Sequence, residues 1–298
     1  MKNGIWMRGL AAAALSLTLA GAAGATDLDL GKGDSPSRNG RIAFGLTQDQ
    51  RLVSFRTETP SRWREVGAIT GFAGDTRLLG MDYRPANGVL YALGNAGGVY
   101  TIDTDTAVAT LRVNLTGATL AGTNFDIDFN PVVDRMRIVS DSGQNLRVNV
   151  DTGATTVDPD LNNGAVPAVL VPGISGAAYT NNDANPASNT TLFDVNALTD
   201  QVVIQSPANA GSVVATGGLG IDAAADVGFD IYSRLDEGIV KSLTGYLVTS
   251  VAGKNGPENN VYRVRLLTGA ASKTGKLKTP SPVIDLAIPT DSTVIPTP

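Results

Sequence analysis

Short runs of alternating apolar and polar residues, separated by turns rich in Gly, Asn and Asp, make up most of this chain of 298 residues. Typical runs lie at 52–56, 89–93, 136–140 and 202–205. Alternation with a period of two, enriched in β-branched and aromatic residues, is typical of β-strands that bury one face. We find no sustained helical period, so the pattern predicts an all-β protein.

Two phrases recur along the chain and indicate repeated structural units. A hairpin phrase, in which a strand meets a Thr-Gly or Thr-Asp turn, begins at Val99, 47 positions later at Leu146, and again at Val261. A second phrase sets one Asp among apolar residues, around Asp82, Asp128, Asp222 and Asp285. Repeats of about 40 to 50 residues with four short strands each are typical of β-propeller blades.

We therefore predict a β-propeller with five blades of about four strands, in which the Asp phrase forms the innermost strand and the hairpin the outer pair. The fourth unit is irregular, because segment 174–179 takes the innermost place with Ala178 where Asp is expected. This irregularity leaves six blades open as the alternative. The last Asp phrase has no hairpin after it, so pairing the C-terminal strand with the N-terminal strands closes the ring and removes open sheet edges.

The N-terminal 25 residues have the layout of a secretory signal peptide. Lys2 and Arg8 precede an apolar stretch at 10–20, which is shorter than the roughly 20 residues that span a bilayer, and Ala23-Gly24-Ala25 follows. Residues 26–39 are predicted to be a flexible lead-in, 40–289 the propeller domain and 290–298 a disordered tail. We expect an exported protein without a transmembrane span, placed in the periplasm, the cell envelope or on the cell surface.

Composition excludes several classes of function. The chain has no His and no Cys, which excludes Ser-His-Asp and Cys-His nucleophile sites, His-ligated zinc and disulfides. Its net charge is −5, and loss of Lys2 and Arg8 with the signal peptide leaves 21 basic and 28 acidic side chains, or about −7. An acidic protein of this kind is a poor partner for nucleic acid or an anionic membrane.

Several motifs, in order, resemble the secreted bacterial family described as domain of unknown function 4394. The resemblance covers about residues 40–289 and rests on the segments at 79–85, 88–93, 128–131, 133–135, 143–147, 176–181 and 191–194. The first reads Leu-Gly-Met-Asp-Tyr-Arg-Pro, and the third reads Asp-Phe-Asn-Pro. Some relatives carry a copper-type superoxide dismutase label, so the resemblance implies that activity as one possibility for this chain.

The Asp of each innermost strand is the main candidate for chemistry. Because side chains alternate along a strand, these carboxylates are expected to point the same way near the propeller axis. One interpretation is structural: each Asp accepts backbone N–H bonds and ties its blade to the next. The other is an acidic ring that holds a hard cation such as Ca²⁺, or copper as the resemblance implies, with these ligands: Asp82, Asp128, Asp222 and Asp285.

Copper lacks its preferred imidazole ligands in this chain, and no organic cofactor is expected. The arginines beside the Asp phrases are predicted to pair across blades with Asp126, Asp134 or Asp151; they are Arg84, Arg135, Arg137 and Arg147.

We expect an exported binding or structural module that docks on another envelope or surface protein through loops on one face. The alternatives are a copper-dependent superoxide dismutase and, less favoured with few Glu and one mature Trp, a glycoside hydrolase.

Overall fold

The computed structural model describes residues 40–183, 185–236, 239–254 and 256–290. Across these ranges the chain forms twenty β-strands and two short 3₁₀ helices, at Pro186–Ser188 and Ala208–Ala210. The predicted signal peptide, the lead-in and the tail from residue 291 lie outside the described residues. Within the described ranges, no helix has the length and apolar character needed to cross a bilayer.

The strands are short and follow one another at turns. In the first half of the chain they are β1 (Ile42–Thr47), β2 (Arg51–Arg56), β3 (Arg64–Ala68), β4 (Leu78–Arg84), β5 (Val89–Gly94), β6 (Gly98–Ile102), β7 (Ala109–Asn114), β8 (Phe125–Asn130), β9 (Arg135–Ser140), β10 (Asn145–Val148) and β11 (Thr155–Val157). In the second half they are β12 (Ile174–Tyr179), β13 (Leu192–Asn196), β14 (Gln201–Gln205), β15 (Val213–Gly218), β16 (Val227–Asp236), β17 (Ile239–Gly253), β18 (Gly256–Val264), β19 (Ala271–Leu277) and β20 (Val283–Ala287).

These strands form five four-stranded antiparallel sheets, which are the blades of a five-bladed propeller. Blade 1 is β20-β1-β2-β3, and blades 2 to 5 are β4-β5-β6-β7, β8-β9-β10-β11, β12-β13-β14-β15 and β16-β17-β18-β19. The C-terminal strand β20 pairs with β1, with Phe44 opposite Ala287 and Leu46 opposite Asp285. The predicted five blades, the predicted closure and the placement of the repeated hairpins as outer strand pairs are confirmed.

The innermost strand of blade 5 differs from the prediction. The Gly-Ile-Asp phrase around Asp222 lies in the connection that precedes β16, and the Asp222 side chain is exposed. The strand itself is β16, where Val227, Phe229 and Ile231 are buried and Asp230 takes the place predicted for Asp222. The segment around Asp222 matches the short Asp phrase of the other innermost strands, but it lacks the alternating apolar positions that are present in β16.

Apolar side chains fill the space between neighbouring blades. The structure has five buried clusters, one at each of the five interfaces between blades. Between blades 1 and 2, the rings of Phe44 and Tyr83 lie 6.3 Å apart, and between blades 2 and 3 those of Tyr91 and Phe129 lie 5.3 Å apart. Because each blade buries both faces, hydrophobic burial holds the ring together without disulfides.

Backbone hydrogen bonds join the blades at the periphery as well. Isolated bridges link the segment after one outer strand to the next blade's outer turn, at Thr70–Val108, Thr116–Ala154 and Asn162–Ser212. Between blades 4 and 5, the Ala271 N–H donates to the Leu219 carbonyl at 3.0 Å. These bonds satisfy main-chain groups that would otherwise end at sheet edges.

Near the axis, the innermost strands of blades 5 and 1 approach each other closely at Gly228. A Cβ atom at Gly228 would lie 2.6 Å from the Cα of Asp285, and the main-chain nitrogen of Leu286 would be closer still. No side chain fits in this space, so the ring closes here only because β16 carries glycine.

We predict that Gly228→Ala lowers the free energy of unfolding by about 1 to 3 kcal/mol, because the added methyl group forces the two strands apart. Gly218→Ala is the matched control, since its Cβ would meet nothing closer than the Asp200 carbonyl oxygen at 3.8 Å. Urea denaturation of both variants measures the effect. Equal stability of the two variants would contradict the close approach.

Candidate functional site

The residues at the axis form two layers, each with one residue from every innermost strand. The first axial layer consists of Asp285, Gly80, Asp126, Gly176 and Gly228, in blade order. The second axial layer, two residues further along each strand, consists of Ala287, Asp82, Asp128, Ala178 and Asp230. Asp285 is therefore equivalent to Asp126 and not to Asp82 and Asp128, and Asp222 belongs to neither layer.

Four of these carboxylates join one innermost strand to the next. Asp285 accepts from the Met81 N–H at 2.5 Å, Asp126 from Ala177 at 2.8 Å, Asp128 from Tyr179 at 2.6 Å, and Asp230 from Ile288 at 2.6 Å. The other oxygen of each carboxylate accepts the N–H of the residue that follows it in its own strand. The interpretation that each Asp ties its blade to the next is thus confirmed for Asp128 and Asp285. The N–H donors lie on the innermost strands, whereas donors in loops were expected.

Asp82 is the exception among the axial carboxylates. It is buried, and its Oδ2 has no hydrogen-bond partner. Burial, followed by repulsion from Asp128 and Asp230, raises the pKa of Asp82 well above its usual range. Burial raises the pKa of Asp128 as well, but two main-chain N–H bonds counteract the rise there, so Asp82 is the more readily protonated of the two.

The axial carboxylates do not fit a copper site. The oxygens of Asp126, Asp128, Asp230 and Asp285 accept N–H bonds, the chain supplies no imidazole, and no described group of three or more acidic side chains is arranged to hold a metal ion. Of the four predicted ligands, Asp82, Asp128 and Asp285 lie at the axis, whereas Asp222 is exposed outside it. The metal hypothesis stays a prediction that these contacts do not support.

A further buried carboxylate lies between blades 3 and 4. Asp194, on β13, is fully buried opposite Ala177 and Val203 of the adjacent strands, and neither of its oxygens has a hydrogen-bond partner. Burial raises the pKa of Asp194 well above its usual range, and the nearby Arg137 only partly offsets this. Burial without a hydrogen-bond partner therefore favours the neutral, protonated form of Asp194 over the charged form.

A pocket of about 300 Å³ opens where the innermost strands of blades 3 and 4 end. Its lining consists of Asn130, Val133, Arg135, Arg147, Tyr179 and Asn209. Asn130 and Tyr179 are the last residues of β8 and β12, and Asn209 lies in the outer turn of blade 4. The pocket is thus built from two blades, and its lining residues come from segments up to about 80 positions apart.

Arginine side chains surround this pocket. Beneath it, the buried Arg137 donates to the Tyr179 hydroxyl at 3.2 Å, to Asn209 Oδ1 at 2.7 Å and to Asp158 at 2.7 Å. Arg147 pairs with the same Asp158 through two hydrogen bonds, at 2.7 and 2.8 Å. These two cations share one carboxylate, which holds the pKa of Asp158 below its usual value despite burial.

Arg84 and Arg135 complete this charged region. Arg84 of blade 2 binds both Asp134 and Asp151 of blade 3, as predicted, at distances from 2.5 to 2.9 Å. Arg135 donates only to the main-chain carbonyls of Val133 and Asp134, at 3.2 and 2.8 Å. In the described part of the chain, no carboxylate forms an ion pair with Arg135, contrary to its predicted pairing.

The pocket was not predicted from the sequence as a site. Arg135 and Arg147 stood out only as partners for nearby acids, and Tyr179 and Asn209 carried no signal of their own. The one available signal was the excess of Arg around the third unit of an otherwise acidic chain.

The fold and the axial ties define the protein as a five-bladed β-propeller closed by its terminal strands. The family model described as Domain of unknown function (DUF4394) matches residues 51–287, and the chain belongs to that family. No curated protein matches the chain.

Solved structures match the chain at low similarity. A nidogen/laminin complex matches with 8% identity and a TM-score of 0.46, over 84% of this chain and 98% of that one. A protein from Lactobacillus plantarum has 12% identity and a TM-score of 0.39, over 83% and 98%. A protein of unknown function from Bacteroides thetaiotaomicron has 14% identity and a TM-score of 0.46, over 87% and 67%. No functional inference rests on similarities at this level.

We predict that Ca²⁺ does not raise the melting temperature of the purified protein, because N–H groups already occupy both oxygens of Asp126, Asp128, Asp230 and Asp285. The one partnerless oxygen of Asp82 is too few for the roughly six to eight oxygen ligands that Ca²⁺ takes. Thermal unfolding with millimolar CaCl₂ and with a chelator measures this. A rise with Ca²⁺ that Asp128→Asn abolishes would show instead that the axial ring binds a cation.

We predict that the protein is more stable at pH 5 than at pH 8. Burial raises the pKa of Asp194 well above its usual range and that of Asp230 to about 7. The same groups ionise near pH 4 in the unfolded chain. Between the pKa values of the unfolded and folded states, the folded protein binds more protons than the unfolded chain, so raising the pH favours unfolding.

Asp194→Asn isolates the contribution of one carboxyl group to this pH dependence. We expect the variant to gain stability relative to the natural protein as the pH rises from 5 to 8, because asparagine does not ionise. Asp105→Asn, at an exposed position, is the control and should leave the pH dependence unchanged. Parallel curves for Asp194→Asn and the natural protein, measured by urea denaturation, would contradict a protonated Asp194.

Proposed function

We propose that the protein is a non-catalytic binding module that docks on a partner protein of the cell envelope or surface. The binding face is the one at the carboxyl ends of the innermost strands, which we name the pocket face and which contains Asn130, Val133 and Tyr179. The observation that carries the proposal is that the axial carboxylates are used in joining blades, whereas the pocket on this face is open to solvent and is lined by Arg135, which forms no ion pair in the described part of the chain. An exported location is part of the proposal and rests on residues 1–25.

The catalytic alternatives find little support in the described residues. Each Glu in these residues pairs with a cation on a separate part of the ring, as Glu58 with Arg263, Glu65 with Arg51 and Glu258 with Lys276. A glycosidase needs two carboxyl groups facing one bond, roughly 5 to 10 Å apart. The copper-dependent dismutase alternative has no donor set among the axial residues.

A rigid propeller is well suited to binding through one face. Its blades are held by buried clusters and by main-chain bonds at both the axis and the periphery, so side chains at the ends of strands keep fixed positions. Turns on such a scaffold are where binding residues commonly lie. Val133 is 53% exposed in the turn after β8, beside the pocket, which makes it a natural contact position.

We predict that a photo-crosslinking amino acid at Val133 gives a discrete adduct with a partner in the cells that make the protein. Leu198 is the matched control, because it is an exposed apolar residue at the opposite face, in the turn between β13 and β14. The protein identified in the adduct is then purified and titrated against this one by calorimetry. Absence of an adduct at Val133, or equal adducts from both positions, would contradict the proposal.

A further inference from the structure

Several polar oxygens that line the pocket between blades 3 and 4 already accept hydrogen bonds from the protein. Asn130 Oδ1 accepts the N–H groups of Val132 and Val133, at 2.9 and 3.3 Å. Asn209 Oδ1 accepts from Arg137 Nη2 at 2.7 Å, and the Tyr179 hydroxyl oxygen accepts from Arg137 Nε. Within the described residues, the Asn209 N–H₂ group and the Tyr179 O–H keep donors for a ligand, whereas Asn130 interacts with the Tyr179 hydroxyl.

The region around the pocket also has an excess of positively charged side chains. The four guanidinium groups of Arg84, Arg135, Arg137 and Arg147 share only three carboxylates, those of Asp134, Asp151 and Asp158. Both oxygens of Asp158 are bound by arginine, and Arg84 holds Asp134 and Asp151 from the neighbouring blade. The region therefore holds more guanidinium groups than carboxylates. Within the described residues Arg135 forms no ion pair, although its charge reaches Asp151 and adds to the hydrogen bonds from Arg84 that hold the pKa of that carboxyl below its usual value.

Burial makes that charge effective. Tyr179 and Arg137 are about 2% and 1% exposed, and the Arg147 side chain is 31% exposed, so one wall of the pocket is shielded from water. Charges interact more strongly in such a partly desolvated site than on an open surface. Arg135 lines the pocket and donates from Nη1 only, so its Nε and Nη2 have no acceptor among the described residues. These two groups form the planar pair of donors that a carboxylate accepts in a bidentate manner.

We propose that this pocket binds a carboxylate group, which an acidic segment of the partner protein inserts between blades 3 and 4, with Arg135 as the residue that selects it. The inference rests on the proposed function, since it names the chemistry by which the pocket face recognises its partner. A free dicarboxylate would offer the same group from a different source. The protein's overall net charge of −5 makes the pocket a local exception, so recognition depends on this one position.

The test is calorimetric titration of the purified protein with four probes at low ionic strength. The probes are the peptide Ac-Gly-Asp-Glu-Asp-Gly-NH₂, its neutral counterpart Ac-Gly-Asn-Gln-Asn-Gly-NH₂, free glutarate and inorganic phosphate. We expect the acidic peptide to bind, the neutral peptide not to bind, and added salt to weaken binding. Glutarate binding tighter than the peptide would overturn the peptide source, and phosphate binding tighter than both would overturn the assignment to carboxylate.

Variants at Arg135 connect the binding to the pocket. Arg135→Gln should weaken binding of the acidic peptide about tenfold or more, because a hydrogen-bonded charge is lost. Arg135→Lys keeps the charge but not the planar donor pair, so its affinity for the acidic peptide should fall between those of Arg135→Gln and the natural protein. Arg64→Gln, which removes an exposed arginine from β3 of blade 1, should bind like the natural protein.

Melting curves of each variant exclude a loss of fold as the cause of weaker binding. Equal affinity of Arg135→Gln and the natural protein, or an equal loss in Arg64→Gln, would overturn the proposal. If Val133 crosslinks to a partner but no acidic probe binds, the carboxylate inference is wrong while the binding function stands. If acidic probes bind at Arg135 but no adduct forms at Val133, the site stands and the docking function is wrong.

Discussion

The propeller depends on buried carboxylates that each join two innermost strands through main-chain N–H groups. In a sheet the innermost strand has no neighbour on its axial side, so its outward N–H groups would be left without partners near the axis. A carboxylate with two acceptor oxygens satisfies one N–H in its own strand and one in the next, as Asp126 does with Ile127 and Ala177. Ring closure and hydrogen-bond satisfaction are therefore achieved by the same side chains.

The ring is not symmetric, and its small residues explain how it closes. Where a strand carries Asp in the first axial layer, the next strand has glycine, as Gly80 follows Asp285 and Gly176 follows Asp126. At Gly228 no carboxylate intervenes, and β20 approaches the backbone directly. Ala178 and Ala287 occupy the second layer without a tie. The close approach at Gly228 lies at the same interface as the bond from Ile288 to Asp230, so blades 5 and 1 are joined by a carboxylate and by direct backbone contact.

The sequence predicted the architecture because the repeated hairpins and the alternating apolar positions are local signals. The same reasoning misplaced the innermost strand of blade 5, since a three-letter match around Asp222 outweighed the alternation of Val227, Phe229 and Ile231. It also treated Asp285 as equivalent to Asp82, because a shift of two residues along a strand keeps a side chain on the same face. Local patterns define strands well but do not define their axial register.

The interblade pocket could not be predicted for a different reason. Whether Arg135 has a carboxylate partner depends on Arg84, which lies about 50 positions earlier and binds both Asp134 and Asp151. Whether Asn209 presents a donor depends on Arg137 using its oxygen. Such competition among charges is decided only when blades 2, 3 and 4 come together. The axis supplies stability because its carboxylates join neighbouring strands. The pocket face has binding capacity because Arg135 forms no ion pair among the described residues.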